Sequence, residues 1–390
     1  MIARTPPMGW NSWNTFGSNI SEALIREIAD HMVSEGYRDA GYEYLVIDDC
    51  WSLRQRGADG RLVPDPQKFP HGMKAVADYV HSKGLKFGMY SCAGARTCAG
   101  YPASYDHEFV DAQTFADWGV DFLKYDFCNF PSSGNCKARY LTMSMALKAT
   151  GREILFSACN WGQQEPGQWM RQIGAHMYRS TGDIFDNFQS FTDIVKSQLD
   201  KLCMSGSCCF NDMDMLTVGM CGKGNVGLGK VCTYEEYRLQ FTLWCLCGVP
   251  LMMGADLRNL APVYRELMQN RTLLRINQDE ECRAPYLVRR DSVIITANGQ
   301  WRPVPDSAFI LLRHLTDNEF ALFYANLADE GAEVHGEFVD MGLPVTGGVA
   351  LDMTDVFTGE HLGPVSDFFN PHIEGHDCKL YLCRLVKTNA

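Results

Sequence analysis

The chain has 390 residues, 46% of them hydrophobic and 21% charged, with a formal net charge of -12 at pH 7. That length predicts one large domain with a smaller one beside it, and the acidic balance argues against nucleic acid, whose phosphates select basic surfaces. The longest apolar passage, Phe241 to Ala255, is too short to span a bilayer and is broken by Gly248 and Pro250, so no membrane partner is expected.

The opening Met1-Ile2-Ala3-Arg4-Thr5-Pro6-Pro7 shows no basic stretch followed by an apolar one, and a cytoplasmic protein is therefore expected. Sixteen cysteines would mark a disulfide scaffold in a short secreted chain, but in one this long they read as reduced, packed thiols. No Cys-x-x-Cys pair occurs, which removes the strongest zinc and redox signatures.

Met8-Gly9-Trp10 reads as a first strand, and Ser21 can cap a helix whose Ile25, Ile28, Ala29 and Met32 fall at helical spacing. A punctuation pattern follows, in which a helix-period segment reaches a glycine and then a short apolar run. Gly41 precedes Tyr42 to Ile47, Gly84 precedes Leu85 to Tyr90, and Gly119 precedes Val120 to Tyr125. Gly151 precedes Glu153 to Phe156, and Gly174 precedes Ala175 to Tyr178. Glycine suits the left-handed position that closes a helix, so each unit reads as helix, glycine, strand. Adding Cys209 to Met215 and Pro250 to Gly254 gives eight strands, which predicts a (β/α)8 barrel over residues 1–283.

The strand-like run Phe122 to Cys128 is expected to send Lys124, Asp126 and Cys128 to one side and Tyr125 and Phe127 to the other. Other polar residues also fall at strand ends: Asp48 and Asp49, Tyr90, Asn160, Arg179 with Asp183, and Asp214. Barrel active sites are built at those C-terminal ends. From about Tyr286 the texture changes to short β-type runs, Ser292 to Thr296, Ala308 to Arg313, Phe320 to Tyr324 and Lys379 to Val386. Broken by Asn-Gly, Gly-Gly and Pro signals, these predict an antiparallel β-sandwich over 284–390, packed tightly on the barrel. His372 and His376 stand four apart, but Pro371 and Gly375 disfavour a helix there, and surface histidines are expected.

A barrel mouth ringed by carboxylates leaves two readings, a divalent-metal enzyme or a glycosidase using two acids. Hard oxygen ligands at Asp48, Asp49, Asp126, Asp183 and Asp214 would suit Mg²⁺ or Ca²⁺. Lys124 beside Asp126 and Arg179 beside Asp183 would repel a metal yet orient sugar hydroxyls, so no metal or other cofactor is expected. Trp10, Trp13, Trp51 and Trp161 near strand ends offer apolar faces for a pyranose, although single tryptophans also serve as core.

Met8-Gly9-Trp10-Asn11-Ser12-Trp13, Asp48-Asp49-Cys50-Trp51, Lys124-Tyr125-Asp126-Phe127-Cys128, Arg179 through Asp183 and Asp214-Met215 resemble, in order and spacing, the motifs of glycoside hydrolase family 27. That family comprises α-galactosidases and α-N-acetylgalactosaminidases. The resemblance implies a retaining exo-acting mechanism on galactose-terminated saccharides, with Asp126 as nucleophile and Asp183 as general acid/base. It implies that Asp48 and Asp49 accept from the 6- and 4-hydroxyls, and that Lys124 and Arg179 serve O3 and its neighbours. Trp13, Tyr90, Cys98 and Met215 would line the pocket, with Asp214 completing its polar wall and Trp161 on the strand-five loop. Lys124 is expected to keep Asp126 ionised, and a second carboxylate to hold the proton on Asp183 in the occupied site.

Two departures stand out. Secreted relatives pair the cysteine matching Cys50 with one soon after the first strand, where this chain reads Phe16-Gly17-Ser18-Asn19. Cys98 and Cys128 match the family's other pair, so at most one bridge is expected. Many α-galactosidases carry Glu at the position of Asn160, where it meets the 2-hydroxyl. Asn160 could still bond that hydroxyl, or it could merely close a turn. Neither Asn160 nor Gln163 leaves obvious room for an acetamide, which favours α-galactosidase over α-N-acetylgalactosaminidase. A non-catalytic carbohydrate-binding barrel would be expected to lose one acid, and both are present. Homo-oligomer contacts through the β domain are a further expectation.

Overall fold

The computed structural model describes residues 2–289, 293–295, 301–303, 307–343 and 347–388. Eight strands, β1 (Met8–Asn11), β2 (Tyr44–Val46), β3 (Lys86–Cys92), β4 (Phe122–Asp126), β5 (Leu155–Cys159), β6 (Met177–Arg179), β7 (Phe210–Asp212) and β8 (Leu251–Met253), form one parallel sheet. They are hydrogen-bonded in the order β7-β6-β5-β4-β3-β2-β1-β8. The ring closes just after β7, where Leu216 N–H donates to Met252 O at 2.8 Å and Leu216 O accepts from Gly254 N–H at 3.0 Å. This is the expected (β/α)8 barrel. Gly9 is required by the closeness of β1 to β2, because a Cβ there would sit 2.3 Å from Tyr44 O.

Ser21 caps the helix Glu22–Ser34 by accepting from Leu24 N–H at 3.2 Å. Ile25, Ile28, Ala29 and Met32 are fully buried against the barrel. The five punctuating glycines all have positive φ, and Gly119 at 84° closes the helix Glu108–Trp118. Gly174 departs from the pattern, since the only helical segment between β5 and β6 is the 3-10 turn Pro166–Gln168. Gln164 and Glu165 adopt left-handed φ of 57° and 50°, and a proline follows, so an α-helix cannot propagate through them.

The helix Cys136–Ala149 fixes the end of β4. Tyr125 points outward onto Tyr140, ring centroids 5.3 Å apart, and the Tyr140 hydroxyl sits 3.0–3.1 Å from the carbonyls of Tyr125, Asp126 and Cys159. Lys124 and Asp126 are thereby turned toward the barrel mouth.

Beyond the barrel lie two antiparallel sheets. One has six strands: His361–Val365, Val349–Asp355, Asp377–Lys387, Glu319–Asn326, Ala308–His314 and Tyr286–Arg289. The other is built on Ala332–Glu337, flanked by Val293–Ile295, Trp301–Pro303, Phe368–Phe369 and His372–Ile373. The ends of the predicted strand Ser292 to Thr296 fall outside the described residues. Alternation along Ala308–His314 explains the packing: Ala308, Ile310 and Leu312 meet Val334 and Phe338 between the sheets, whereas Phe309 and Leu311 join the barrel core. The predicted sandwich and its tight packing are both found.

The contact with the barrel is polar as well. Arg313, fully buried, donates to Cys245 O at 3.0 Å and Leu246 O at 2.9 Å, satisfying carbonyls at the end of the helix Tyr234–Cys247. His372 is exposed as expected, but His376 is not a plain surface histidine. It stacks on Phe188 at 3.8 Å and bonds Glu236 at 2.8 Å, because the sandwich folds that turn down onto the barrel.

Candidate active site

The C-terminal ends of the strands enclose a cavity of about 380 Å³, within the range of small-ligand pockets. Of the residues expected at the site, Trp13, Asp48, Asp49, Tyr90, Cys98, Lys124, Asp126, Trp161, Arg179, Asp183, Asp214 and Met215 all line it. Trp10 and Trp51 do not. Trp10 is core, its indole N–H bonded to Ala255 O, and Trp51 is buried against Phe115 and Trp118.

Asn160 is the other correction. It is wholly buried away from the cavity, its amide N–H bonded to Gln163 O, so it closes the turn after β5. Neither Asn160 nor Gln163 faces the cavity, and the contact expected for a 2-hydroxyl cannot come from either. Cys159 and Trp161 form that part of the wall instead. Strand alternation accounts for the exchange: Ser157 and Cys159 point inward with Ala158 outward, and Asn160 lies past the strand end. Trp161 reaches the cavity from a left-handed φ of 55°.

Each carboxylate is held by a different partner. Asp48 Oδ2 accepts from Lys124 Nζ and from Asn11 Nδ2, both at 2.8 Å. Burial is the largest single influence and opposes the charge on Lys124, but Asp48, Cys159 and Asp126 together raise the ammonium above its ordinary pKa. Asp49 is braced by the N–H groups of Cys50 at 2.7 Å and Ala99 at 2.9 Å, while burial pushes its carboxyl up.

Asp126 accepts from its neighbour Phe127 N–H at 2.9 Å and from the Tyr90 hydroxyl at 3.1 Å. Burial raises its pKa, with the charge on Lys124 as the main opposing influence. Lys124 thus favours ionisation of Asp126, as expected, but does not prevail over burial. Cys98 and Cys128 are joined in a disulfide beside this group, with Cys98 Sγ 3.7 Å from Asp126 Oδ2. Asp126 and these two sulfurs lie close enough to share a cation, but the sulfurs are already bonded to each other.

Across the cavity, one guanidinium nitrogen of Arg179 lies 2.8 Å from Asp183 Oδ1 and 2.7 Å from Asp214 Oδ2. The side chain of Asp183 is 70% exposed to the cavity, whereas that of Asp214 is 8% exposed, so the two differ in what they can reach. Asp214 also receives the N–H groups of Ile184 and Met215 from a left-handed φ of 80°. Burial pushes its pKa up against the pull of Arg179. Asp214 is thus joined to Asp183 through the shared Arg179 nitrogen.

Sequence reasoning passed over Asp212. It sits two positions before Asp214, in register with Arg179, and accepts from Asp214 N–H at 2.9 Å. Burial pushes its carboxyl up to about 6, even with Arg179 pulling it down. The period-two relation to Asp214 was the available signal. Asn14, Ile184, Phe185, Asn225 and Val226 also line the cavity and carry no motif that marks them.

Residues 5–279 match the model of the family described as alpha galactosidase A. The chain is 40% identical over 383 residues to an α-galactosidase of Cyamopsis tetragonoloba, covering 98% of this chain and 86% of that one. It is 38% identical over 382 residues to an α-N-acetylgalactosaminidase of Gallus gallus, covering 92% and 88%. The crystal structure of α-galactosidase I from Mortierella vinacea superposes with a TM-score of 0.88 at 32% identity, covering 100% of this chain and 99% of that one. With the family model spanning the whole barrel and its cavity, the chain belongs to the alpha galactosidase A family, glycoside hydrolase family 27.

Proposed function

We propose that the protein is a retaining exo-α-galactosidase that releases terminal α-linked galactose through a covalent intermediate on Asp126. The observation that carries this reading is the pairing of two unlike carboxyl groups on one cavity: Asp126, buried at the end of β4, and Asp183, exposed and held by Arg179. In the first step Asp126 attacks C1 of the sugar while Asp183 gives a proton to the departing oxygen. In the second, Asp183 takes a proton from water, which displaces Asp126 and regenerates both groups. Such a mechanism expects the two carboxyl groups roughly 5–5.5 Å apart.

Asp48 and Asp49 are the proposed acceptors for the 6- and 4-hydroxyls, and Lys124 and Arg179 the donors to O3 and its neighbours. Trp13, Tyr90 and Met215 would supply the apolar lining. The similarity to chains named α-galactosidases supports galactose as the sugar. α-N-Acetylgalactosaminidase is the second reading. It gains from the correction at Asn160, because the residues thought to crowd a 2-acetamido group lie outside the cavity wall.

The test is the hydrolysis rate on an aryl α-galactoside against the aryl α-N-acetylgalactosaminide, with Asp126→Asn as the blank. Faster turnover of the galactoside is expected, and preference for the acetamido sugar would overturn the choice. We also infer a reducing compartment such as the cytoplasm, on the ground that fourteen cysteines are free thiols. Among the described residues no helix is long and apolar enough to cross a membrane.

A further inference from the structure

The polar groups of the cavity leave one stretch of its wall unaccounted for. Phe185 follows Asp183 by two positions, lines the cavity and is 38% exposed. A single exposed phenylalanine needs no explanation by itself. This one is held in place from both sides. Its N–H donates to Ser190 Oγ at 2.8 Å, and the next residue, Asp186, donates its N–H to Val226 O at 2.9 Å. The Asp186 carboxylate accepts from Gly222 N–H at 2.7 Å and from the Tyr237 hydroxyl at 2.8 Å.

The backbone carrying Phe185 is therefore tied to the 222–226 loop and to the helix Tyr234–Cys247. Val226 lines the cavity as well, and Leu228, 57% exposed, is tied by its carbonyl to the Asn187 amide at 2.8 Å. The result is a braced apolar lip on the side of Asp183. Asp48 and Asp49, which would hold the sugar's 6- and 4-hydroxyls, follow β2, on the opposite side of the ring from β6.

We propose that Phe185 is an aglycone platform, which selects α-galactosides whose leaving group carries a ring with an apolar face, a pyranose or an arene. The proposal rests on the reading of Asp183 as the proton donor. A donor must touch the bond to the leaving group, so the first ring beyond that oxygen lies beside Asp183, where the Phe185 face is available. An aromatic face packs well on the C–H face of a pyranose or on another arene. The sugar being transferred gains nothing from this contact, so Phe185 discriminates among leaving groups only.

The experiment compares wild type with Phe185→Ala and Phe185→Tyr on an aryl α-galactoside, on a galactose-terminated disaccharide, and on α-galactosyl fluoride, which has no ring beyond C1. The ratio of kcat/KM on each ring-bearing substrate to that on the fluoride is expected to fall about three- to tenfold in Phe185→Ala, mainly through KM. Phe185→Tyr should restore it. An unchanged ratio, or a loss of equal size on the fluoride, would overturn the proposal. Failure of the wild type to cleave any of the three would instead refute the α-galactosidase reading, and the platform with it.

Discussion

Lys124 Nζ donates to Asp48 Oδ2 at 2.8 Å, so the cation two positions before Asp126 is bonded to a carboxylate from two strands away. Its charge still acts on Asp126 through space, as the main influence opposing burial. The same ammonium thus holds a proposed sugar-binding carboxylate and biases the proposed nucleophile toward ionisation.

Replacement of Lys124 by Met should therefore do two separable things. Loss of a charged donor to a sugar hydroxyl should lower kcat/KM by about 10- to 100-fold. Loss of the positive charge should raise the pKa of Asp126 further, moving the acidic limb of the kcat/KM profile to higher pH. A pH-rate series on the variant checks the sign. A limb that stays put or moves to lower pH would show that Lys124 does not tune Asp126.

Asp212 yields a stability prediction. Its folded-state pKa of about 6 lies above the ordinary 3.8, so the native state binds a proton more tightly than the unfolded chain. Between about pH 4 and 6 its contribution to stability should fall as pH rises, because burying the charge becomes unfavourable. Asp212→Asn mimics the neutral form and can still accept from Asp214 N–H. It should be more stable than wild type at pH 7, by up to about 3 kcal/mol, and near parity at pH 4. Denaturant unfolding at the two pH values measures this, and a variant less stable at pH 7 would contradict it.

Much of this architecture was legible in the sequence because glycines close the helices and charge accumulates where strands end. A period of two along β4 turns Lys124 and Asp126 to the mouth, whereas Asp183 and Asp214, in the loops past β6 and β7, were marked by the family motifs. The partners were not legible. Which of five carboxylates takes Lys124 depends on the closure of the ring, and nothing local says that Arg179 bridges Asp183 and Asp214. Asn160 shows the limit of reading by position: one residue past a strand end, alternation gives way to turn geometry, and the inward place belongs to Cys159. The missing helix before Gly174 had its own signal in Pro166, and the role of His376 depends on how the sandwich docks.

The cysteines offer a count. Of sixteen, only Cys98 and Cys128 are joined, leaving fourteen free. Denatured without reductant, the protein should titrate fourteen thiols, rising to sixteen after reduction. Several further disulfides would contradict both this pattern and the reducing compartment inferred from it.

The central claim is that Asp126 forms a covalent bond to the sugar, and the stereochemistry of the first product tests it most directly. Proton NMR during the early turnover of an aryl α-galactoside, before mutarotation, should show α-galactose appearing first, because two displacements restore the configuration at C1. β-Galactose as the initial product would mean a single displacement by water, and Asp126 would not be the nucleophile.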